Sequence, residues 1–215
     1  MNNIELKNLK DTLDAILHEL TRLYAWWKTF KELFYKSPAR YDFLMEVSSS
    51  TFAIFEDVLT DSVLITLAKL CDSVKSCGKE NLCLEQICII INNEDEQLSR
   101  KLAARLSTIR EYCDSVITHR KRRLAHFDYR THVEPEVLPR VSVRNIDSAL
   151  RELEQFVHDA AGRLKNCTIA FEPDTWLNET DKFIERLKQA MRYEELRKEG
   201  RIDTSDIQQS KFFKV

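Results

Sequence analysis

The sequence predicts an all-α fold, an antiparallel bundle of about six helices, on three observations. Three glycines and four prolines punctuate 215 residues, which leaves most turn chemistry out of the chain. Apolar residues return at spacings of three and four along most of its length, the period of a helix with one buried face. The composition, 43% hydrophobic against 32% charged, is that of a globular chain with enough apolar side chains for a substantial core. The same glycine scarcity argues against a sandwich, a Rossmann fold or a glycine-rich phosphate loop, and neither a GxGxxG nor a Walker pattern occurs.

The first helix is expected from about Ile4 to Tyr35, with Leu13, Ile16, Leu17, Leu20, Leu23, Tyr24, Trp27, Phe30 and Phe34 on its apolar face. Adjacent aromatics at Trp26 and Trp27 are read as core and interface rather than as a base-stacking surface. Ser37-Pro38 ends this helix, and a second is expected from Pro38 to about Ser76, carrying Phe52, Phe55, Val58, Leu59, Ser62, Leu67 and Leu70 through the core. Gly78 is its expected C-cap. Asp57, Asp61 and Asp72 with Glu56 suggest a carboxylate metal site, but the Glu-x-x-His spacing of a di-iron bundle is missing, and no metal or other cofactor is expected.

A short apolar helix is expected over Leu82 to Ile91, ended by Asn92-Asn93, and a long one from Glu94 to Phe127. Thr131 to Pro139, with two prolines, reads as an extended loop. Ser142 or Asn145 caps a further helix reaching about Asn166, with Ile146, Leu150, Leu153, Phe156, Val157 and Leu164 inward. Glu172-Pro173-Asp174 introduces a last helix to about Glu199. The organisation is therefore a single helical domain over residues 1–199 and a C-terminal tail over 200–215.

Six cysteines at 71, 77, 83, 88, 113 and 167 form no CxxC pairs and read as reduced structural thiols. The N-terminus lacks the basic start and apolar core of a signal peptide, and no stretch approaches the ~20 apolar residues that span a bilayer, so a cytoplasmic location without membrane contact is expected.

The segment that carries chemistry closes the long fourth helix. Leu102, Leu106, Ile109, Cys113 and Val116 alternate at four and three, and the next position on that apolar stripe is Arg120. A guanidinium cannot shed its proton, so on a buried stripe it must pair with a carboxylate, a phosphate or water held in a groove. Arg122 and His126, at i and i+4, share a second face with Arg123 and His119. Five Lys or Arg residues fall within Arg120 to Arg130 and the only acid there is Asp128, although the chain as a whole carries a formal charge of −2. Phosphate would therefore be drawn mainly to this segment. The plain reading is a solvated basic helix end, where cations complement the helix dipole; the placement of Arg120 on the apolar stripe argues for a site.

The block from Thr118 through Arg120-Lys121-Arg122-Arg123-Leu124-Ala125-His126-Phe127-Asp128 resembles the signature of the HEPN superfamily, an arginine followed after a few residues by a histidine, in its AbiU-like branch named for abortive infection. Upstream, Phe52-Ala53-Ile54 through Leu67-Ala68-Lys69-Leu70-Cys71-Asp72-Ser73 and then Asn81-Leu82-Cys83-Leu84 extend the similarity, which covers roughly residues 10 to 165. The resemblance implies an HEPN-like bundle that dimerises with two Arg/His motifs facing one cleft. It further implies metal-independent cleavage of RNA, as a toxin or antiphage effector held by an antitoxin or another regulatory protein.

Such cleavage needs a proton acceptor for the ribose 2′-hydroxyl, a donor for the leaving oxygen and positive charge for the transition state. His126 is assigned to acid-base work and Arg120 to phosphate. His119, Lys121, Arg122, Arg123, Asp128 and Tyr129 are assigned as supporting or RNA-binding residues. Asp128 could orient the imidazole, as a carboxylate fixes a tautomer. Arg120 and His126 are six apart, about 240° around an ideal helix, so the helix is expected to end or bend between them, or a dimer to bring one chain's arginine to the other's histidine. Lys121 stands where the superfamily usually has Asn, Asp or His. Related proteins with incomplete motifs are noncatalytic, which gives the alternative of a helical RNA-binding or protein-interaction adaptor.

Overall fold

A computed structural model of the chain describes residues 3–76, 78–124, 129, 133, 137–164 and 175–202. These are helical almost throughout. The order is α1 (Asn3–Phe30), a π-helical turn (Lys31–Tyr35), α2 (Pro38–Leu70), a hairpin of β1 (Lys75–Ser76) and β2 (Lys79–Glu80), α3 (Leu84–Asn92), α4 (Glu96–Tyr112) and α5 (Asp114–His119). A second π turn (Arg120–Leu124), α6 (Val143–Ala161) and α7 (Thr175–Lys198) complete it. The all-α class expected from the sequence is thus the observed one. No helix among the described residues is long and apolar enough to cross a membrane.

The chain divides into two compact units, one of Met1–Lys28 with Asp57–Glu172, the other of Thr29–Glu56 with Pro173–Val215. In the larger unit, Leu9, Leu13, Ile16, Leu20 and Leu23 of α1 are fully buried at the spacing that a single helix face demands. Antiparallel pairing of α1 with α6 is fixed by two polar anchors. Tyr24 donates its hydroxyl to the Leu150 carbonyl at 2.7 Å, and the Trp27 indole donates to Asp147 Oδ1 at 2.7 Å. Trp27 is buried, so the core reading holds for it. Each such bond contributes about 1 kcal/mol net, and the larger effect is to fix the register of the two helices.

Helix α6 starts where Ser142 accepts from the Asn145 amide, as the sequence led one to expect, and turns Ile146, Leu150, Leu153, Phe156, Val157 and Ala160 inward. Helix α4 starts at Asp95, whose side chain accepts from the Leu98 amide at 2.8 Å, and it packs along α3 and α6. Its pairing with α6 is also antiparallel: Lys101 and Arg105 both reach Asp159, and Arg105 also reaches Glu152 at 2.7 Å. Four of the six cysteines, Cys71, Cys83, Cys88 and Cys113, are described; all four are buried free thiols. Cys77 and Cys167 lie outside the described residues.

In the smaller unit, Phe52 and Phe183 pack at 6.5 Å between ring centroids, and Asp181 of α7 is held by Lys36 and Arg40. Helix α7 ends in a Schellman motif: Gly200, at φ +70°, donates to the Arg197 carbonyl while Arg201 donates to that of Leu196.

Three expectations need correction. The second helix stops at Leu70, not near Ser76, because residues 71–80 turn back as the hairpin, with Lys75 opposite Glu80. Gly78, at φ +76°, serves that hairpin's turn and caps no helix. Phe55 and Val58 are exposed rather than core, at 45% and 57%. The buried face of α2 runs through Phe52, Val63 and Leu67, and at 100° per residue Val58 falls on roughly the opposite side of the helix.

Candidate active site

The stripe on which the motif was placed is real. Leu102, Leu106, Ile109, Cys113 and Val116 are all buried, none more than 3% exposed. The helix that carries them is interrupted twice. At Cys113, φ −92° and ψ 6° separate α4 from α5, although Cys113 still donates to Ile109 and its carbonyl accepts from Ile117. At Arg120 the α-helical bonding gives way to the π turn, which takes one more residue per hydrogen bond. The 240° of an ideal helix therefore does not apply across Arg120–Leu124.

Arg120 follows Val116 on the stripe and is 29% exposed. Its Nη1 donates to Asp72 Oδ1 at 2.7 Å, and Asp72 is itself 24% exposed. The charge that the apolar stripe should not carry has found a carboxylate, as burial requires. Three residues on, Arg123 donates to Asp61 of α2. Because 72 pairs with 120 and 61 with 123, the motif segment runs antiparallel to α2.

Asp72 is held from behind as well. Arg110, on α4, donates Nε to the Cys71 carbonyl at 2.9 Å and Nη2 to the Asp72 carbonyl at 3.2 Å, and lies 3.7 Å from Glu85. Asn81, just past the hairpin, donates to the Ser73 carbonyl, and the Val74 amide donates to Glu85. The turn after α2 is thus tied down at four successive residues, so the carboxylate facing Arg120 is pre-set rather than free to wander.

Arg120 opens onto a cleft of about 440 Å³ that also takes in Glu19 and Arg22 of α1, Thr66, Lys69 and Leu70 of α2, and Asp72, Asn81 and Leu82. Arg22 pairs with Glu19 at 3.3 Å and lies 4.8 Å over the Trp26 ring. The cleft thus gathers three cations and two acids from separate elements.

The remaining motif residues are placed as follows. His119 contacts the Pro139 carbonyl through Nε2 at 2.9 Å. A carbonyl only accepts, so Nε2 donates in this contact, and Nδ1 is buried with no hydrogen-bond partner among the described residues. Lys121 and Arg122 are exposed, Arg123 is half-buried, and Tyr129 is 69% exposed. His126 and Asp128 lie outside the described residues. The described geometry therefore joins Arg123 to α2, Arg120 to the turn that follows it, and His119 to the segment before α6.

A model of the family HEPN_AbiU2, described as AbiU2, matches residues 6–196, and the chain belongs to that family, a branch of the HEPN superfamily named for abortive infection. No curated protein and no solved structure matches the chain.

Asp61 and Asp72 were weighed in the sequence only as metal ligands, yet they are the partners of the motif arginines. No group of three or more His, Cys, Asp or Glu side chains fit to hold an ion occurs among the described residues. One signal was available. The two acids are eleven apart, a spacing that puts Asp61 on the last turns of α2 and Asp72 just past its end on nearly the same side. The roles of Arg110, Arg22 and Lys69 had no local signal, because each acts on residues far away in the chain.

Proposed function

We propose that the chain is a metal-independent endoribonuclease of the HEPN type, a toxin or antiphage effector in the cytoplasm. Its active site is composite, formed where two copies of the chain meet. The observation that carries this reading is a guanidinium seated on an otherwise apolar stripe, 29% exposed, at the wall of a cleft. Arg120 is paired with Asp72 and still borders the cleft, so a phosphate entering there can reach its guanidinium. Arg120 would bind the scissile phosphate and stabilise its transition-state charge, and His126 would exchange the protons of the 2′-hydroxyl and leaving oxygen. His119, Lys121, Arg122, Arg123, Asp128 and Tyr129 would support the motif or the strand. An antitoxin or other regulatory protein would keep the enzyme silent.

The purified chain is expected to cut single-stranded RNA in the presence of EDTA and to sediment as a dimer. RNA binding without cleavage under any condition would reject the nuclease. That outcome would favour a non-catalytic RNA-binding or protein-interaction adaptor. The pairing of Arg120 with Asp72 and of Arg123 with Asp61 favours this second reading, since ordinary structural ion pairs have the same form.

A further inference from the structure

We propose that Arg22 and Lys69 form a second phosphate subsite, which holds the RNA backbone beside the phosphate taken by Arg120. This rests on the nuclease reading above and adds to it two residues from outside the motif. The two lie on different helices, α1 and α2, 47 residues apart in the chain, and the fold brings both to the cleft that Arg120 lines. Lys69 is exposed and forms no ion pair among the described residues, so its charge is available to a ligand. Arg22 has its side chain 50% exposed and pairs with Glu19 at 3.3 Å, an exposed contact of the kind that contributes little and exchanges readily.

The arrangement around these cations fits a phosphodiester strand better than a neutral ligand. Thr66, one turn before Lys69, and Asn81 are the uncharged polar residues of the lining. Each arginine of the cleft rests against an acid, Arg22 on Glu19 and Arg120 on Asp72. A phosphate oxygen offers a guanidinium the same forked hydrogen bonds that a carboxylate does, so the strand would take over from the acids as it enters. Trp26, stacked under Arg22, holds the guanidinium above its ring while leaving the outer edge open.

The test is equilibrium binding of a fluorescein-labelled single-stranded RNA dodecamer to full-length protein carrying His126→Ala, so that the strand stays intact, read by anisotropy across a salt titration. Arg22→Gln and Lys69→Gln are each expected to weaken binding roughly 3- to 10-fold and to lower the slope of log K against log salt by about one. Glu19→Gln, which frees Arg22, is expected to tighten binding. Lys7→Gln, fifteen residues before Arg22 and ~22 Å away along α1, should change neither quantity.

Equal binding by the Arg22 and Lys69 variants and their parent would overturn the subsite. If the unmodified chain cuts RNA while these variants bind it normally, the subsite alone fails; if the unmodified chain neither binds nor cuts RNA, the nuclease reading fails with it.

Discussion

RNA cleavage is expected to fall by about 10²- to 10³-fold when Arg120 is replaced by methionine, and by about 10²- to 10⁴-fold when His126 is replaced by alanine. Methionine keeps the apolar stem on the stripe and removes only the charge. The exchange has a structural side effect that must be separated from the chemical one, because it leaves Asp72 half-buried without its partner. Asp72 keeps about a quarter of its side-chain exposure, so solvent softens that cost to about 1 kcal/mol or less. Adding Asp72→Asn to the methionine variant removes the stranded charge. The double variant should recover the urea midpoint of the parent while remaining inactive. Recovery of cleavage along with stability would show that Arg120 serves only the fold. Undiminished cutting by the His126→Ala protein would withdraw the assignment of that imidazole.

Phe156→Ala should cost about 3–5 kcal/mol, a large part of the roughly 5–15 kcal/mol that holds an ordinary domain together. Phe156 is fully buried on α6, between Leu153 and Val157 of the same helix, which are fully buried as well. The loss combines the transfer of an aromatic ring to water with the cavity left behind, and the surrounding helices close that cavity only in part. Because α6 is the helix on which both α1 and α4 are paired, the whole larger unit should feel the change. The midpoint of urea unfolding should drop steeply with little change in slope. A shift worth less than about 1 kcal/mol would mean that α6 is not packed as described.

Much of this arrangement is legible in the sequence, for a physical reason. Burial in a helical bundle is written into spacing, and the stripe from Leu102 to Val116 and the inward face of α6 were both legible there. Ser142 was readable as a cap because capping is decided within three residues. What stayed hidden depended on residues distant in the chain. Nothing near Arg120 names Asp72, 48 positions earlier, and nothing near Arg22 names Lys69. The two π turns were also invisible, since a π turn uses the same residue types as an α-helix and differs only in which carbonyl each amide finds. The face of α2 was misread at Phe55 and Val58 for a related reason: a helix with apolar residues on several sides offers more than one stripe to choose from.

The sealed thiols of the larger unit have a practical consequence. Burial pushes the pKa of Cys88 up to about 11 and raises that of Cys83, while hydrogen bonding to Cys71, together with burial, raises that of Cys113. An alkylating reagent attacks the thiolate, so at mildly alkaline pH the folded larger unit gives it nothing to attack at these three positions, whereas an opened chain offers thiols near their reference value of ~8.5. The speed at which iodoacetamide labels these cysteines, followed by mass spectrometry, becomes a clock for spontaneous opening of each helix pair. Cys113 sits behind the motif and Cys88 on α3, so the two readings would tell whether the ground under Arg120 loosens before the rest of the unit.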